Sequence, residues 1–194
     1  MLFARSECDQ LKKIFRIRSG KGMRYLWAPW RMTYILKAKQ GGCIFCKKPV
    51  EGKDKENLIL YQSADGFIIM NKFPYNNGHL MVVPRRHCVD LDQLSGKEFQ
   101  ELSRLLKAST QVLKSCLHPH GFNIGMNVGK VGGAGEEHIH FHIVPRWAGD
   151  TNFMPVLSET KIVPQHLEKT YQKLHSGFVD LFRKEKGRKG GRKK

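Results

Sequence analysis

Three histidines alternate with apolar residues between His138 and Ile143, and this pattern constrains the fold more than any other feature of the chain. Because successive side chains of a β-strand point to opposite faces, the pattern predicts a strand with a histidine face and an apolar face. Imidazoles placed so closely can act as metal ligands, as general acids and bases, or as a nucleophile with helpers. Three inert histidines are disfavoured, because neighbouring charged rings would repel one another.

Length and composition indicate one globular domain with appended segments. The chain has 194 residues, of which 40% are hydrophobic, and this is enough for a sizeable core. No apolar run reaches the roughly 20 residues of a membrane span. The five cysteines are a sparse, odd-numbered set that fits a reducing compartment. We therefore expect a cytoplasmic protein with no membrane association.

The net charge of +17 lies mainly at the two ends of the chain. Residues 183 to 194 carry eight basic side chains and one acidic, and residues 1 to 25 carry seven and two. We expect residues 1 to 22 to form a basic N-terminal extension and residues 184 to 194, which contain no apolar side chain, to form a disordered basic tail. The basic tails could bind nucleic acid weakly and in a salt-dependent way, and a solubilising tail without a partner is the alternative.

The middle of the chain predicts strands followed by helices. Two apolar runs, 66–71 and 78–83, flank a turn-forming tetrapeptide and predict an antiparallel hairpin. A helical pattern of apolar residues begins after Ser95, which can form a capping box with Glu98, and it predicts a long helix that covers the sheet. A second helical pattern after Pro164 predicts a C-terminal helix.

A glycine-rich loop lies directly before the histidines. It follows an alternating segment, 122–128, and a hairpin between the two segments would bring Asn127 beside the histidines. Glycines let backbone N–H groups approach oxyanions closely, so the loop, with Gly133 and Gly135, is a candidate phosphate-binding element. It matches neither a Walker A motif nor a dinucleotide-binding fingerprint, and an ordinary hairpin loop is the alternative.

Histidines beside such a loop suggest phosphate chemistry. A neutral imidazole can attack phosphorus and divide one displacement into two easier ones, provided that its second nitrogen has an acceptor that fixes the tautomer. The middle histidine, His140, is the candidate nucleophile, and His142 and Asn127 could donate to the phosphoryl oxygens. A single metal ion bound by all three histidines is disfavoured, because the outer Cα atoms of such a strand lie about 13 Å apart.

These motifs together resemble the histidine-triad (HIT) superfamily of nucleotide hydrolases and transferases. The resemblance rests on the alternating histidines and on three further elements, Asn71, residues 78 to 87 and Asn127. It covers residues 23 to 183, which we predict to be a HIT domain. The flanking segments, 26–32 and 145–156, resemble the branch described as diadenosine tetraphosphate (Ap4A) phosphorylases or hydrolases.

The resemblance implies an α+β fold, in which a HIT-like antiparallel sheet carries a long packing helix and a C-terminal helix. It also implies a nucleotide substrate and a homodimer. In such a site His140 would attack an α-phosphate to form a nucleotidyl-histidine, His142 would bind the phosphoryl oxygens, and His79 would support both. Asn71 would contact the ribose region, and Asn127 the phosphate or the leaving group.

The loop before the histidines departs from the better-known hydrolase branches. Those branches carry Ser or Gln in this loop, whereas this chain has Glu136 and Glu137 after Gly135. Carboxylates facing a polyphosphate would repel it. We therefore expect both side chains to point outward or toward Lys130.

Cys43 and Cys46 form a CxxC pair, and two thiolates with two distant imidazoles can make a tetrahedral zinc site. Several HIT-related proteins, including the galactose-1-phosphate uridylyltransferase branch, combine such a pair with two histidines. The matching positions in this chain are His87 and His138. The resemblance thus implies structural zinc, with His138 as a ligand and without a direct catalytic role. An empty, reduced pair that packs as small apolar residues is the alternative.

The leading hypothesis is an enzyme that cleaves a nucleotide phosphoanhydride, similar to an Ap4A phosphorylase or hydrolase, through a covalent nucleotidyl-His140 intermediate. Whether phosphate or water completes the reaction stays open, because the nucleophilic histidine is common to both. The alternative is a nucleotide- or nucleic-acid-binding interaction protein with a non-catalytic triad and basic tails that recruit RNA or DNA.

Overall fold

The computed structural model describes residues 42–150 and 166–190. The predicted extension, 1–22, and the aromatic flank, 26–32, lie outside these residues. The described elements, in chain order, are α1 (Ile44–Lys47), a 3-10 turn (Lys48–Val50), β1 (Ile59–Gln62), β2 (Gly66–Met70), β3 (Leu80–Pro84), a second 3-10 turn (Leu91–Gln93), α2 (Gly96–Leu117), β4 (Gly121–Met126), β5 (Phe141–Arg146) and α3 (Leu167–Gly190).

The five strands form one antiparallel sheet in the order β1-β2-β3-β5-β4. β2 and β3 form the predicted hairpin, in which Ile68 lies opposite Val82. β4 and β5 form the second predicted hairpin, in which Gly125 lies opposite His142. Five antiparallel strands with packed helices confirm the predicted α+β class.

The two faces of the sheet bury different sets of side chains, as the alternation of a strand requires. One face packs against α2 and α3 and forms the main core, whose members include Ile68, Leu80 and Val82 of the strands and Leu105 and Phe178 of the helices. The opposite face carries a smaller apolar cluster, which consists of Phe45, Ile59, Phe67, Ile69, Met81 and Val83. The functional residues described below lie on this second face.

α2 begins as the sequence predicts. Ser95 accepts a hydrogen bond from the Glu98 backbone N–H, and the Glu98 carboxylate accepts one from the Ser95 backbone N–H, which is a complete capping box. Leu102 and Leu105 are buried, but Phe99, which fits the same helical spacing, is 46% exposed. Phe99 lies in the first turn, beyond the edge of the buried face.

α3 extends farther than the sequence predicts. Its helical backbone continues to Gly190, so residues 184 to 190 continue the helix where the sequence predicted a disordered tail. Lys, Arg and Glu are good helix formers, and a helix that is already nucleated by packing can propagate through them without an apolar face. None of the helices in the described ranges is long and apolar enough to cross a membrane.

The histidine segment differs from the prediction in one respect. β5 begins at Phe141, so His142 lies in the strand whereas His138 and His140 precede it. The prediction that one strand carries all three histidines is therefore wrong. The partner strand β3 ends at Pro84, which has no N–H to extend the ladder. The backbone of Ile139 instead donates to the Cys88 carbonyl at 2.9 Å.

Candidate active site and metal centre

Strands β3 and β5 bring three of the predicted catalytic residues together. Met81 pairs with His142, so His79, two residues before Met81, lies on the same face as His142. Nε2 of His79 lies 3.0 Å from Nδ1 of His142. The ring centroids of His140 and His142 are 4.6 Å apart. His79 and His140 are both buried, with 1% and 5% of their surface exposed.

His140 has a defined tautomer. Its Nδ1–H donates to the carbonyl of His138 at 2.8 Å, so the proton of the neutral ring is on Nδ1 and Nε2 carries a lone pair. Burial lowers the pKa of His140, which favours the neutral ring. The ring of Phe45 packs against it at a centroid distance of 4.9 Å. A buried neutral imidazole with an unprotonated Nε2 is chemically suited to nucleophilic attack.

His79 is held from its other side by the loop between β2 and β3. The backbone N–H of Tyr75 donates to Nδ1 of His79 at 3.1 Å. The Tyr75 ring stacks on His79 at a centroid distance of 4.8 Å and lies 5.9 Å from the ring of His142. One loop residue therefore lies beside both His79 and His142.

The four predicted metal ligands, Cys43, Cys46, His87 and His138, form a compact Cys/His cluster whose ligand atoms all lie within 4.8 Å of one another. Nδ1 of His138 is 3.3 Å from Sγ of Cys43 and 3.6 Å from Sγ of Cys46. Tetrahedral zinc, with bonds of about 2.3 Å to sulfur and 2.0 Å to nitrogen, separates such atoms by about 3.5 Å. The cluster could therefore hold a metal ion.

The hydrogen bonding of His138 suits a metal ligand. Its Nε2–H donates to the Pro84 carbonyl at 3.0 Å, which leaves the lone pair of Nδ1 directed at the two thiols. Burial lowers the pKa of His138 to about 4, so the ring is neutral near pH 7, as metal binding requires. Desolvation and the adjacent Cys43 thiol raise the pKa of Cys46 to about 11. A divalent cation reverses that effect, because it favours the thiolate.

The glycine-rich loop is closed by Asn127. Its Nδ2 donates to the carbonyl of Gly133 at 3.3 Å. Met126 pairs with Phe141. Asn127 follows Met126 and His140 precedes Phe141, so Asn127 and His140 lie at about the same position along the two antiparallel segments. Gly133 has a φ of +87°, which favours glycine, and it is exposed, as is Gly135.

The two carboxylates of the loop act on different lysines. Glu137 forms an ion pair with Lys130 at 3.1 Å, as the sequence predicts. Glu136 is half-buried and acts electrostatically on Lys48, whose pKa is lowered by burial and by the charge of Lys72.

Asn71 lies at the end of β2, beside the carbonyl of His79. Its backbone N–H donates to that carbonyl at 3.0 Å, and its side-chain oxygen accepts from the Phe73 N–H at 2.9 Å. The side chain therefore shapes the start of the loop that carries Tyr75.

Sequence reasoning missed several residues that support the site. Phe45 lies inside the CxxC pair but contacts His140, and Tyr75 lies in a segment that reads as a turn. Asn76 is only 7% exposed, and its Nδ2 donates to the Pro145 carbonyl at 3.0 Å and to Asp150 at 2.7 Å. A single sequence marks Asn76 as a turn former and gives no signal for its buried partners.

A histidine cluster on an antiparallel sheet, next to a Cys/His cluster, defines the site of a histidine-triad protein. The model of the HIT domain family matches residues 53–149, about half of the chain, and the protein belongs to this family. The CxxC pair precedes the matched region.

Relatives support the same assignment. The chain is 37% identical over 158 residues to the AP-4-A phosphorylase of Mycobacterium tuberculosis (strain CDC 1551 / Oshkosh), covering 76% of this chain and 80% of the relative. It is 30% identical over 104 residues to the adenosine 5′-monophosphoramidase of Schizosaccharomyces pombe, covering 54% and 74%. Among solved structures, a Zn-bound histidine triad family protein from Mycobacterium smegmatis is similar, with a TM-score of 0.58, 25% identity and coverage of 72% and 95%.

Proposed function

We propose that the protein is a nucleotide-cleaving enzyme that transfers a nucleotidyl group from a dinucleoside polyphosphate such as Ap4A through a covalent His140 intermediate. The observation that carries this proposal is the hydrogen bond from His140 Nδ1–H to the His138 carbonyl, which leaves Nε2 of a buried, neutral ring unprotonated. The relatives named as an AP-4-A phosphorylase and an adenosine 5′-monophosphoramidase support a nucleotide substrate.

In the proposed reaction, Nε2 of His140 attacks the α-phosphorus. A P–N bond forms while the P–O bond to the leaving polyphosphate breaks, so that Ap4A would give adenylyl-His140 and ATP. Phosphate or water then attacks the same phosphorus and releases ADP or AMP, and the lone pair returns to Nε2. His142 would donate to the phosphoryl oxygens as their charge grows, and His79 would hold His142 in place.

The substrate-binding roles of the remaining residues are part of this proposal. Asn127, Gly133 and Gly135 would contact the phosphates from the loop, and Asn71 would contact the ribose region. The Asn71 side-chain oxygen already accepts from the Phe73 N–H, so its Nδ2 is the group that would donate to a ribose hydroxyl. Homodimerisation and a cytoplasmic location stay predictions.

We further propose that the Cys/His cluster binds zinc in a structural role. Two thiols and two imidazole nitrogens at these spacings match a closed tetrahedral site, and such sites contribute folding energy. Zinc would tie α1 to the segment that precedes β5. Phe45, which α1 contributes to the site, would then be fixed against His140.

Product analysis separates the candidate reactions. Purified protein is incubated with Ap4A, with and without inorganic phosphate, and with adenosine 5′-monophosphoramidate. ADP plus ATP formed only with phosphate indicates a phosphorylase, AMP plus ATP without phosphate indicates a hydrolase, and AMP from the phosphoramidate alone indicates a phosphoramidase. If no nucleotide is turned over, the proposed function is wrong.

The nucleophile is tested with His140→Asn and a matched control, His118→Asn. His118 is exposed at the C-cap of α2 with a φ of +50°, a conformation that Asn adopts readily, so the control should fold and turn over normally. His140→Asn should abolish turnover and the covalent adduct that acid-free mass spectrometry detects on the wild-type protein. An adduct on another residue would refute the assignment of His140.

A further inference from the structure

The hydrogen bond between the Tyr75 backbone and His79 fixes which nitrogen of His79 carries a proton. A backbone amide can only donate, and the Tyr75 N–H faces Nδ1 of His79 at 3.1 Å. Nδ1 must therefore be the acceptor, because a proton on it would meet the amide hydrogen directly. The neutral ring of His79 consequently carries its proton on Nε2.

The same reasoning extends from His79 to His142. Nε2 of His79 lies 3.0 Å from Nδ1 of His142, so the proton on Nε2 is donated to Nδ1. Nδ1 of His142 is then an acceptor, and the proton of the neutral His142 ring is on Nε2. Each neutral imidazole has one donor and one acceptor nitrogen. The group that faces one nitrogen of a ring therefore decides whether the other nitrogen carries the proton.

We propose that Tyr75 is a positioning residue, whose backbone N–H sets the tautomers of both His79 and His142. Its side chain protects this arrangement. The Tyr75 ring stacks on His79 with an interplanar angle of 29° and is itself 39% exposed, whereas His79 beneath it is 1% exposed. The ring thus keeps water away from the bond that the backbone N–H makes.

The loop that presents the Tyr75 amide is tied down at both ends. Before it, the Asn71 N–H donates to the His79 carbonyl at 3.0 Å. After it, the His79 N–H donates to the Asn76 carbonyl at 3.1 Å, and the Asn76 side chain is anchored on the Pro145 carbonyl at the end of β5. These bonds hold the amide at a fixed position relative to the histidine rings.

Two backbone groups therefore fix opposite tautomers on the neighbouring rings of His140 and His142. The His138 carbonyl makes His140 present a lone pair on Nε2, and the Tyr75 amide makes His142 carry a proton on Nε2. This difference assigns attack on phosphorus to His140 and donation to the phosphoryl oxygens to His142, and the assignment rests on the proposed function. The tautomers themselves do not depend on the identity of the substrate.

Nitrogen-15 NMR of histidine-labelled protein reads the tautomers directly. In the wild-type protein, His79 and His142 should each show an unprotonated Nδ1 and a protonated Nε2, and His140 the reverse. A protonated Nδ1 on His79 would overturn the inference, whatever the activity of the protein. Absence of nucleotide turnover with the expected spectrum would refute the proposed function alone.

Variants of Tyr75 separate the amide from the ring. Tyr75→Pro removes the N–H, and we expect mixed His142 tautomers and a kcat reduced about tenfold or more, with little change in KM, because the donor acts mainly in the transition state. Tyr75→Ala keeps the N–H and should retain the wild-type tautomers. Wild-type tautomers in Tyr75→Pro would contradict the proposal.

A second pair of variants covers the case in which Tyr75→Pro does not fold. His79→Gln retains an N–H donor near the position of Nε2, whereas His79→Leu removes it at similar volume. His142 should keep its wild-type tautomer in His79→Gln and show a mixture of both tautomers in His79→Leu. Identical His142 spectra in both variants would show that His79 does not link the Tyr75 N–H to the tautomer of His142.

Discussion

Substitution of Phe45 by alanine should damage both stability and turnover, because its ring joins the Cys/His cluster to the proposed nucleophile. Phe45 is 2% exposed and lies between Cys43 and Cys46 in the chain. Its ring centroid is 4.9 Å from that of His140, 5.8 Å from that of His138 and 6.4 Å from that of Phe67. One side chain therefore forms a wall for His140 and for a predicted metal ligand.

The size of the effect follows from the surroundings of the ring. Truncation of a buried Phe to Ala costs about 3–5 kcal/mol, depending on how far the cavity can collapse. α1 has only four residues, so it can settle partly into the space, and we expect about 3 kcal/mol for Phe45→Ala. Phe45→Leu retains most of the volume and should cost about 1 kcal/mol. A loosened His140 should lower kcat about tenfold in the alanine variant.

Urea unfolding and single-turnover kinetics on zinc-saturated protein measure the two effects separately. Phe99→Ala is the matched control, because Phe99 is 46% exposed on α2, and it should change stability by less than about 0.5 kcal/mol. Phe45→Ala could lose about 3 kcal/mol of stability and still show a normal single-turnover rate per folded molecule. That result would mean that the ring packs the CxxC segment but does not position His140.

Four further predictions follow from other contacts. Arg86 holds the pKa of Glu98 at about 2, below its ordinary 4.5, so the carboxylate stabilises the fold above pH 4.5 and this contribution is lost as the pH falls toward 2. Because the Arg86 side chain is 53% exposed, we discount the effect for screening, and Glu98→Gln should cost about 1–2 kcal/mol in urea unfolding at pH 7 and much less at pH 3. Gly78→Ala should lower Tm by several degrees, about 2 kcal/mol, because Gly78 has a φ of +71° and an added Cβ would lie 2.5 Å from Leu117 Cδ1. Chelation should release about one zinc ion per chain, measured by a colorimetric zinc indicator, and lower Tm in the same sample. Deletion of residues 186 to 194, which retains the 3.1 Å ion pair of Arg104 with Glu185, should leave turnover unchanged and reduce the salt concentration that elutes the protein from immobilised RNA.

The strands and helices could be predicted because each leaves a local signal in the chain. Alternation around Ile68 and Val82 predicts the β2–β3 hairpin, and the capping box at Ser95 predicts the start of α2. The start of β5 could not be predicted in this way. It depends on where the pairing with β3 ends, which is at Val82 and Phe141, and the pattern of histidines alone contains no information about that partner strand.

The site could be predicted to the extent that its residues have distinctive chemistry. The CxxC spacing of Cys43 and Cys46 stands out, and the resemblance to the HIT superfamily implies His87 and His138 as their partners. The structure brings all four together in one cluster. Phe45 and Asn76 do not stand out, because an apolar residue and a turn-forming amide are common everywhere in a chain. Their importance comes from contacts across the fold, with His140 and with the Pro145 carbonyl.

His138 and His140 lie in different environments, and His138 takes part in both through its ring and its backbone carbonyl. Its ring faces the thiols of Cys43 and Cys46 through Nδ1, and its carbonyl accepts the Nδ1–H of His140. The ring is oriented by the Pro84 carbonyl at the end of β3. A shift of the His138 backbone would move both its ring in the cluster and the carbonyl that fixes the His140 tautomer. The proposed metal site and the proposed nucleophile are thus coupled through a single residue, His138.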